Sequence, residues 1–400
     1  MNRLYFKAPR RPMVPLTMVF VVGILLVLKP QVPLGSFVAN IPVLFLAGII
    51  VPVDIVSVLL SLCFPFLLPY SAACLQLLIK AMLLCNEGIY SGDRFSFDVV
   101  SPPLVVVFWI YGLLFFCTSE TCRIWFLRRK KKLIVLGLTG IMAGGILASV
   151  YYDSSMRHPM ALFIDVGQGS SIYIHTPCGR HILIDGGGKR QGNIAKDVLK
   201  PVLLKNGISR IDTAVATHKD MDHYKGLLEL QELGMVRQLI TSDHGFQKGD
   251  VIVKEKEFRL EALAPLPDSN LHTATGKTTE SNESSLVLLA SLPGLKILAT
   301  GDIGKETEAE LVASGQDLGC DVLAVPHHGS KNSSSDAFIK KTNPALAIIQ
   351  VGKNNYGHPA TETLIAYENN HIPIFRTDKL GAIGFSPKGY AVTIEETFKK

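Results

Sequence analysis

Four hundred residues are enough for two folding units. Hydrophobic residues make up 48% and charged residues 18%, too apolar for one soluble enzyme and too mixed for a purely membrane-embedded protein. The net charge of +6 is segregated: residues 1–152 carry 13 Lys/Arg against 5 Asp/Glu and the remainder 27 against 29, so the basic excess flanks apolar runs and gives no nucleic-acid footprint on the second half.

Residues 1–152 read as a transmembrane helical segment and residues 153–400 as a soluble domain. Apolar runs occur at 13–28, 37–68, 71–85, 103–117 and 133–152. About 20 apolar residues span a bilayer, so the first, second and fifth are long enough and the other two are marginal. The first follows Arg3, Lys7, Arg10 and Arg11 with no small-residue cleavage site, and more apolar runs come after it, so it reads as a span and not as a signal peptide. This basic cluster and the run at 128–132 both belong on the cytoplasmic side. Four crossings between them, followed by a fifth, deliver the C-terminal domain outside the cell membrane. Asp54 falls inside the second run beside Pro52. It reads equally as a polar channel wall or as a turn between two shorter helices. The seven cysteines are odd in number and form no C-x-x-C pair, so a disulfide framework or thiolate zinc site is not expected; they read as small buried hydrophobes.

The soluble part opens with strands at 161–166, 171–175 and 181–184, the last ending in Asp185-Gly186-Gly187-Gly188. A helix follows at 193–206 with Pro201 as a kink, then a strand at 213–216 and a helix at 224–233. After a loop at 264–284 come strands at 285–292 and 296–300, a helix at 305–314, a strand at 322–325, a helix at 335–341 and a strand at 345–351. Strands first and then strand–helix alternation predict an α+β fold, with sheets covered by helices on their outer faces.

The strongest chemical signal is Thr217-His218-Lys219-Asp220-Met221-Asp222-His223. His218, Asp220, Asp222 and His223 lie within six residues, after a strand and before a helix. Imidazole with carboxylate oxygen is the mixture that holds Zn²⁺ or Mn²⁺. Without a cation such a cluster forces carboxylates together at a cost, which disfavours a merely solvated turn. His158, His175, His181, His244, His272 and His371 show no partner spacing and read as surface or loop residues.

The spacing resembles the metallo-β-lactamase superfamily motif H-x-H-x-D-H, with Asp220 in place of the second His. That variant is similar to the ComEC family of DNA-internalisation competence proteins. Further segments match that family in order: 163–170 (FIDVGQGS), 183–187 (LIDGG), 282–288 (NESSLVL), 300–302 (TGD), 325–330 (VPHHGS), 354–359 (NNYGHP) and 376–378 (RTD). The membrane segment also resembles the end of the family's channel domain. The resemblance implies a metallo-β-lactamase αββα sandwich preceded by transmembrane helices. It implies two divalent ions, Mn²⁺ or Zn²⁺, one held by His218 and Asp220, the other by Asp222 and His223, with Asp302 bridging. The resemblance has His327 or His328, with His327 preferred, completing the coordination of the second ion; the other of the two, or His358, contacts phosphate or protonates the leaving group, and Asp222, His328 and His358 count with the catalytic residues. A further superfamily His is replaced by Asn282 or its neighbours, which makes the donor set harder and favours Mn²⁺. Asp165 and Asp185 either orient ligands or form turns.

The implied activity is a metal-dependent phosphodiesterase or nuclease acting on DNA at the membrane, because paired cations activate water and neutralise charge at phosphorus. Two alternatives stand beside it: a hydrolase of another substrate on the same fold, and a non-catalytic channel subunit with a degenerate site. Expected partners are DNA, the lipid bilayer, and a separate channel-domain chain or other competence proteins. The family carries a longer channel region and an extra soluble domain, so the chain reads as a fragment or a split gene product.

Overall fold

The computed structural model describes residues 31–90, 96–98, 160–188, 192–266, 284–388 and 391–397, with isolated positions in 137–148 and at 282. The apolar runs predicted at 13–28 and 103–117, the basic run at 128–132, most of 133–152 and of the 264–284 loop, Cys117, Cys122, His158 and His272 lie outside these residues. So does the expected boundary at 152/153. The chain divides into two compact units, Met1–Trp125 and Phe126–Lys400.

In the first unit, β1 (Gln31–Pro33) leads into helix α1 (Leu34–Cys63); a short 3₁₀ turn (Pro65–Leu67) then joins α2 (Leu68–Tyr90), and β2 (Ser96–Asp98) pairs antiparallel with β1. Two stretches, Ile41–Cys63 and Pro65–Gly88, are long and apolar enough to cross a bilayer, with mean hydropathy 2.7 and 1.7. Their apolar side chains are exposed, Ile41, Phe45 and Leu62 among them, as suits a lipid environment. The marginal run at 71–85 is thus part of a helix of full spanning length. Helix α1 runs unbroken through Pro42 and Pro52, and Asp54 lies within it on an exposed face. This overturns the turn reading of Asp54: proline inside the helix does not end it, as membrane-type helices tolerate. Ser57 and Ser61 turn their hydroxyls onto the Val53 and Val58 carbonyls, leaving neither hydroxyl free in the apolar face.

The second unit begins with β3 (Met160–Phe163), β4 (Ile172–His175) and β5 (His181–Ile184). A π-helical turn (Ala195–Leu199) runs into α3 (Lys200–Lys205), then β6 (Ile211–Val215), α4 (Met221–Glu232) and β7 (Val236–Ile240). Next come β8 (Val251–Lys254), β9 (Arg259–Ala264), β10 (Val287–Leu292), β11 (Leu295–Ala299), α5 (Lys305–Ala313) and β12 (Val322–Ala324). The unit closes with α6 (Asp336–Thr342), β13 (Leu346–Ile349), α7 (Thr361–Asn369), β14 (Ile374–Arg376), α8 (Thr377–Leu380), β15 (Ala382–Lys388) and β16 (Ala391–Thr397).

The strands form two seven-stranded sheets, in the orders β16-β15-β3-β4-β5-β6-β7 and β14-β13-β12-β11-β10-β9-β8. Side chains alternate across each strand and so build three apolar layers. Ala161 and Phe163 of β3, Ile172 and Ile174 of β4, and Leu295, Ile297 and Ala299 of β11 fill the space between the sheets. Leu162 and Tyr173 face the other way, onto α3 and α4, with Leu203, Leu227 and Leu230. Leu298 and Leu323 pack on Leu311, Phe338 and Tyr367 of α5, α6 and α7. Helices therefore cover both outer faces of a sheet pair, the αββα sandwich.

Strands β5 and β6 run parallel, as do β11, β12 and β13. In such sheets the C-terminal strand ends open onto the ligand crevice, and those ends carry Asp185, Thr217-His218, Asp302, His327-His328 and Gln350. The start of α4 is seated directly on the Gly186–Gly188 turn: Gly186 N–H donates to His223 O at 2.7 Å, and Gly226 N–H to Gly187 O at 2.9 Å. A Cβ at Gly226 would stand 2.0 Å from Gly186 O. Gly226→Ala is accordingly expected to destabilise the second unit by about 1–3 kcal/mol through overpacking, read as a lowered unfolding midpoint, whereas Leu228→Ala on the more exposed side of α4 shifts it by less than about 0.5 kcal/mol.

Candidate metal centre

Asp185 follows β5 in the left-handed region, at φ 59°. Its buried carboxylate accepts three hydrogen bonds: from Thr217 N–H at 2.8 Å, from the Thr217 hydroxyl at 2.9 Å, and from His223 Nδ1 at 2.7 Å. The Thr217 hydroxyl has spent its proton on Asp185, so at 3.0 Å it can only accept from His218 Nδ1. On a separate strand end, His328 Nδ1 donates to Gln350 O at 2.9 Å. Three imidazoles are thus anchored through Nδ1–H, and each turns Nε2 toward the same space.

Carboxylates meet them there. Asp302 Oδ1 is 3.0 Å from His223 Nε2, and Oδ2 is 3.5 Å from His328 Nε2, 3.8 Å from His327 Nε2 and 4.0 Å from His218 Nε2. Asp222 Oδ2 is 3.4 Å from His328 Nε2, and Asp220 Oδ2 is 3.8 Å from His218 Nε2. One ligand atom from each of Asp222, His223, Asp302 and His328 falls within 4.8 Å of the others. Asp302 stands between this group and the pair His218–Asp220.

The donor chemistry fits a cation. His223 Nε2 and His328 Nε2 lie 3.3 Å apart although both rings already donate through Nδ1. Neutral, they would oppose two lone pairs; only a proton or a cation reconciles them. Among the described residues His218 Nε2 is buried without a hydrogen-bond partner, a cost that a native site bears only for a ligand or for function.

Electrostatics reflect the same crowding. Burial drives His218 down to about 4, assisted by the charge of His223. Burial also opposes charge on His223 and His328, but Asp302 and Asp185 hold the His223 proton well above the ordinary range, and Asp302 and Asp222 raise His328. Burial pushes Asp222 and Asp302 up; the adjacent imidazoles outweigh it, holding Asp222 at about 2 and Asp302 well below the usual carboxylate range. Protons on imidazole thus balance the carboxylates wherever a metal does not.

The expected residues converge, with His327 and His328 differing in place. His328, placed with phosphate chemistry by the sequence, sits in the tight cluster. His327, expected as the ligand, lies on the rim with its side chain 27% exposed. Both adopt left-handed backbone, φ 50° and 52°, and this pair of turns sends the second ring inward and the first outward. His358 is half-buried, its ring 5.5 Å from that of His327; burial and His327 lower its proton affinity. Asn282 belongs to a loop that Leu286 N–H ties to Thr217 O at 2.9 Å, beside His218, and its Oδ1 is buried with no hydrogen-bond partner among the described residues. Asp185 orients ligands, while Asp165 merely closes a turn onto Gly167 N–H. Thr217 and Gln350 hold the imidazoles yet escaped sequence reasoning; a hydroxyl next to a ligand His was a usable signal for the first, and nothing marked the second.

Two readings away from the centre are corrected. His175 is buried on β4, stacked on His181 at 5.0 Å; neither is a loop residue, because paired rings fill a cross-strand site. Of the described cysteines only Cys320 is buried, and Cys63, Cys74 and Cys178 are exposed, the first two on the membrane-type helices.

The sandwich and its histidine–aspartate centre define a metallo-β-lactamase-fold domain, and residues 164–353 match the family model of the metallo-β-lactamase superfamily. The chain is a relative of competence proteins. It is 29% identical over 341 residues to ComE operon protein 3 of Bacillus subtilis, covering 78% of this chain and 43% of that one. It is 30% identical over 225 residues to Competence protein ComA of Neisseria gonorrhoeae (55% and 31%) and 30% over 199 residues to Recombination protein 2 of Haemophilus influenzae (48% and 24%). The chain therefore spans less than half the length of these relatives.

Metal loading should be pH-dependent with a fixed sign. The neighbouring carboxylates raise the proton affinity of His223 and His328, so protons compete there with a cation, apparent affinity falls as pH is lowered and loading releases protons, with His218, held at about 4, contributing least near neutral pH. The dependence of calorimetric enthalpy on buffer ionisation measures this release. Asp185→Asn is expected to weaken loading by about 10- to 100-fold by disorienting His223, seen in metal content after dialysis.

Proposed function

We propose that this chain is a DNA-uptake membrane protein whose C-terminal domain is a metal-dependent phosphodiesterase, a nuclease that degrades DNA at the membrane. The observation that carries the reading is the convergence of three Nδ1-anchored imidazoles on Asp222 and Asp302, with Asp220 beside them. Three carboxylates alone repel an anionic substrate; a phosphodiester can approach only if cations outweigh them. Divalent ions held there would activate water and neutralise charge on the phosphoryl oxygens.

In this reading His218 and Asp220 hold one ion, Asp222, His223 and His328 the other, and Asp302 both. His327 and His358 line the rim. Burial and His327 lower the proton affinity of His358, which favours its neutral form, with one N–H to offer a phosphoryl oxygen, so in this reading it positions the substrate more than it protonates a leaving group. Aspartate in place of the second motif histidine makes the oxygen share large and favours Mn²⁺ over Zn²⁺. Charge asymmetry around the apolar runs supports a multi-pass protein of the cell membrane with the domain on its outer side. Two of the relatives are named as competence and recombination proteins, which supports a role in DNA uptake; DNA is the substrate in this reading, and other competence proteins or a separate channel chain are its partners.

The test uses the purified chain in detergent with Mn²⁺. Cleavage of a single-stranded oligonucleotide and of bis-p-nitrophenyl phosphate is expected, with nitrocefin left intact. His328→Ala and Asp302→Asn should each lower kcat at least about 100-fold, on the scale of removing one preorganised charge-stabilising group. Hydrolysis of nitrocefin without phosphodiester cleavage would move the assignment to another hydrolase, and full DNA uptake by a chain carrying Asp302→Asn would point to a non-catalytic subunit.

A further inference from the structure

The loop after β13 carries a feature that the metal centre does not explain. Tyr356 is 69% exposed, and its ring lies 5.9 Å from that of His358, tilted by 34°. His358 in turn stands edge-on to His327 at 5.5 Å, and His327 Nε2 is 3.8 Å from Asp302. A file of rings thus leads from the metal centre to an aromatic face in solvent.

That face is held out, not left loose. Asn354 Oδ1 accepts from the N–H groups of Tyr356 and His358 at 3.0 and 3.1 Å, and its Nδ2 donates to the carbonyls of Gly352 and His358 at 2.9 and 2.8 Å. All four bonding positions of this amide are used within one short loop. The loop base is fixed where Gly352 abuts Gly167, so closely that a Cβ would lie 2.4 Å from the Gly167 carbonyl carbon. A rigid loop that exposes a large ring beside a phosphate-binding centre has already met the ordering cost of binding a flat partner.

We propose that Tyr356 is the stacking platform for an unpaired base next to the scissile phosphodiester. The assignment rests on the phosphodiesterase reading above and names what that site selects. Every base has a π-face, so stacking on Tyr356 favours nucleic acid without choosing a sequence. Bases inside a duplex already stack on each other and are not available, so this platform directs the centre to single strands and frayed ends. Tyr356 is a positioning residue: it holds the nucleotide and leaves the reacting atoms to the metal centre.

The test compares wild type, Tyr356→Ala, Tyr356→Leu and Tyr356→Trp in the full chain with Mn²⁺. Two substrates are used, a single-stranded thymidine oligonucleotide and methyl p-nitrophenyl phosphate, a phosphodiester without a base. Tyr356→Ala is expected to raise KM for the oligonucleotide by about 5- to 100-fold, the scale of one lost base–aromatic stack, with kcat within about twofold and the baseless substrate unaffected. Tyr356→Trp should restore KM and Tyr356→Leu should not. Fluorescence anisotropy of a labelled phosphorothioate oligonucleotide should show the same order of affinities. An unchanged KM in Tyr356→Ala, an equal loss on both substrates, or full rescue by Tyr356→Leu overturns the platform while leaving the phosphodiesterase reading in place. Failure of wild type to cleave either substrate removes both.

Discussion

One carboxylate organises the candidate metal centre of this molecule. Asp185 accepts from the backbone and hydroxyl of Thr217 and from His223 Nδ1, and so ties the end of β5 to the end of β6 and to the first turn of α4. It selects the Nδ1–H tautomer of His223 directly. Through the Thr217 hydroxyl, which must then accept, it selects the same tautomer for His218. A single ion thereby aims two imidazoles, and the geometry of the HxDxDH loop follows from a residue more than thirty positions upstream. The left-handed conformation at Asp185, unusual for a non-glycine residue, is what turns its side chain back over the strand ends.

The second sheet answers this arrangement with strain of its own. Two successive left-handed histidines, 327 and 328, follow β12, and each such residue costs on the order of 1–3 kcal/mol unless its surroundings impose it. Several contacts do so: His327 N–H donates to Gly301 O at 3.1 Å, His328 to Gln350 O, and the Gln350 side chain donates to Ser171 O at 2.8 Å, across to the first sheet. Glu308, buried on α5, accepts from the backbone of Ser334 and Ser335 at 2.5 and 2.7 Å and steadies the loop that follows. The continuous apolar layer between the sheets supplies the rigidity against which such strain can be held.

Much of this was legible in the chain and some was not. The interior strands β3 to β6 and β10 to β13 announced themselves by apolar runs, because both of their faces meet packed layers. The missed strands lie toward the margins. β7, β8, β14 and β16 are the four edges of the two seven-stranded sheets, and β9 and β15 sit next to β8 and β16. β7 exposes Arg237 and Gln238 in mid-strand, as edges do to discourage pairing with other chains, and that habit erases the alternation by which strands are recognised. The candidate metal ligands were legible because imidazole and carboxylate at close spacing are costly without a cation. The choice between His327 and His328 was not, since it depends on backbone handedness that a Pro-His-His-Gly sequence leaves open. Asp185 looked like a turn residue and is one; its second role exists only because β5 and β6 are adjacent and parallel.

The balance of donors carries the argument from structure to chemistry. Sequence position 220 decides how much oxygen the centre offers: a histidine there would add a neutral nitrogen, whereas Asp220 adds charge and places it 3.8 Å from His218 Nε2 on the open side. With Asp222 and Asp302 the carboxylates form an acidic crescent that His223 and His328 balance only while protonated. Protons and divalent cations therefore compete for the same atoms. On the proposed phosphodiesterase reading an anionic substrate is admitted when the cations win, which makes occupancy by metal the condition for substrate approach as well as for reaction. The exposed ring of Tyr356 lies outside this competition. Its face is an apolar π surface, so it can hold a flat, uncharged part of a substrate whether or not the phosphate has yet found its cations.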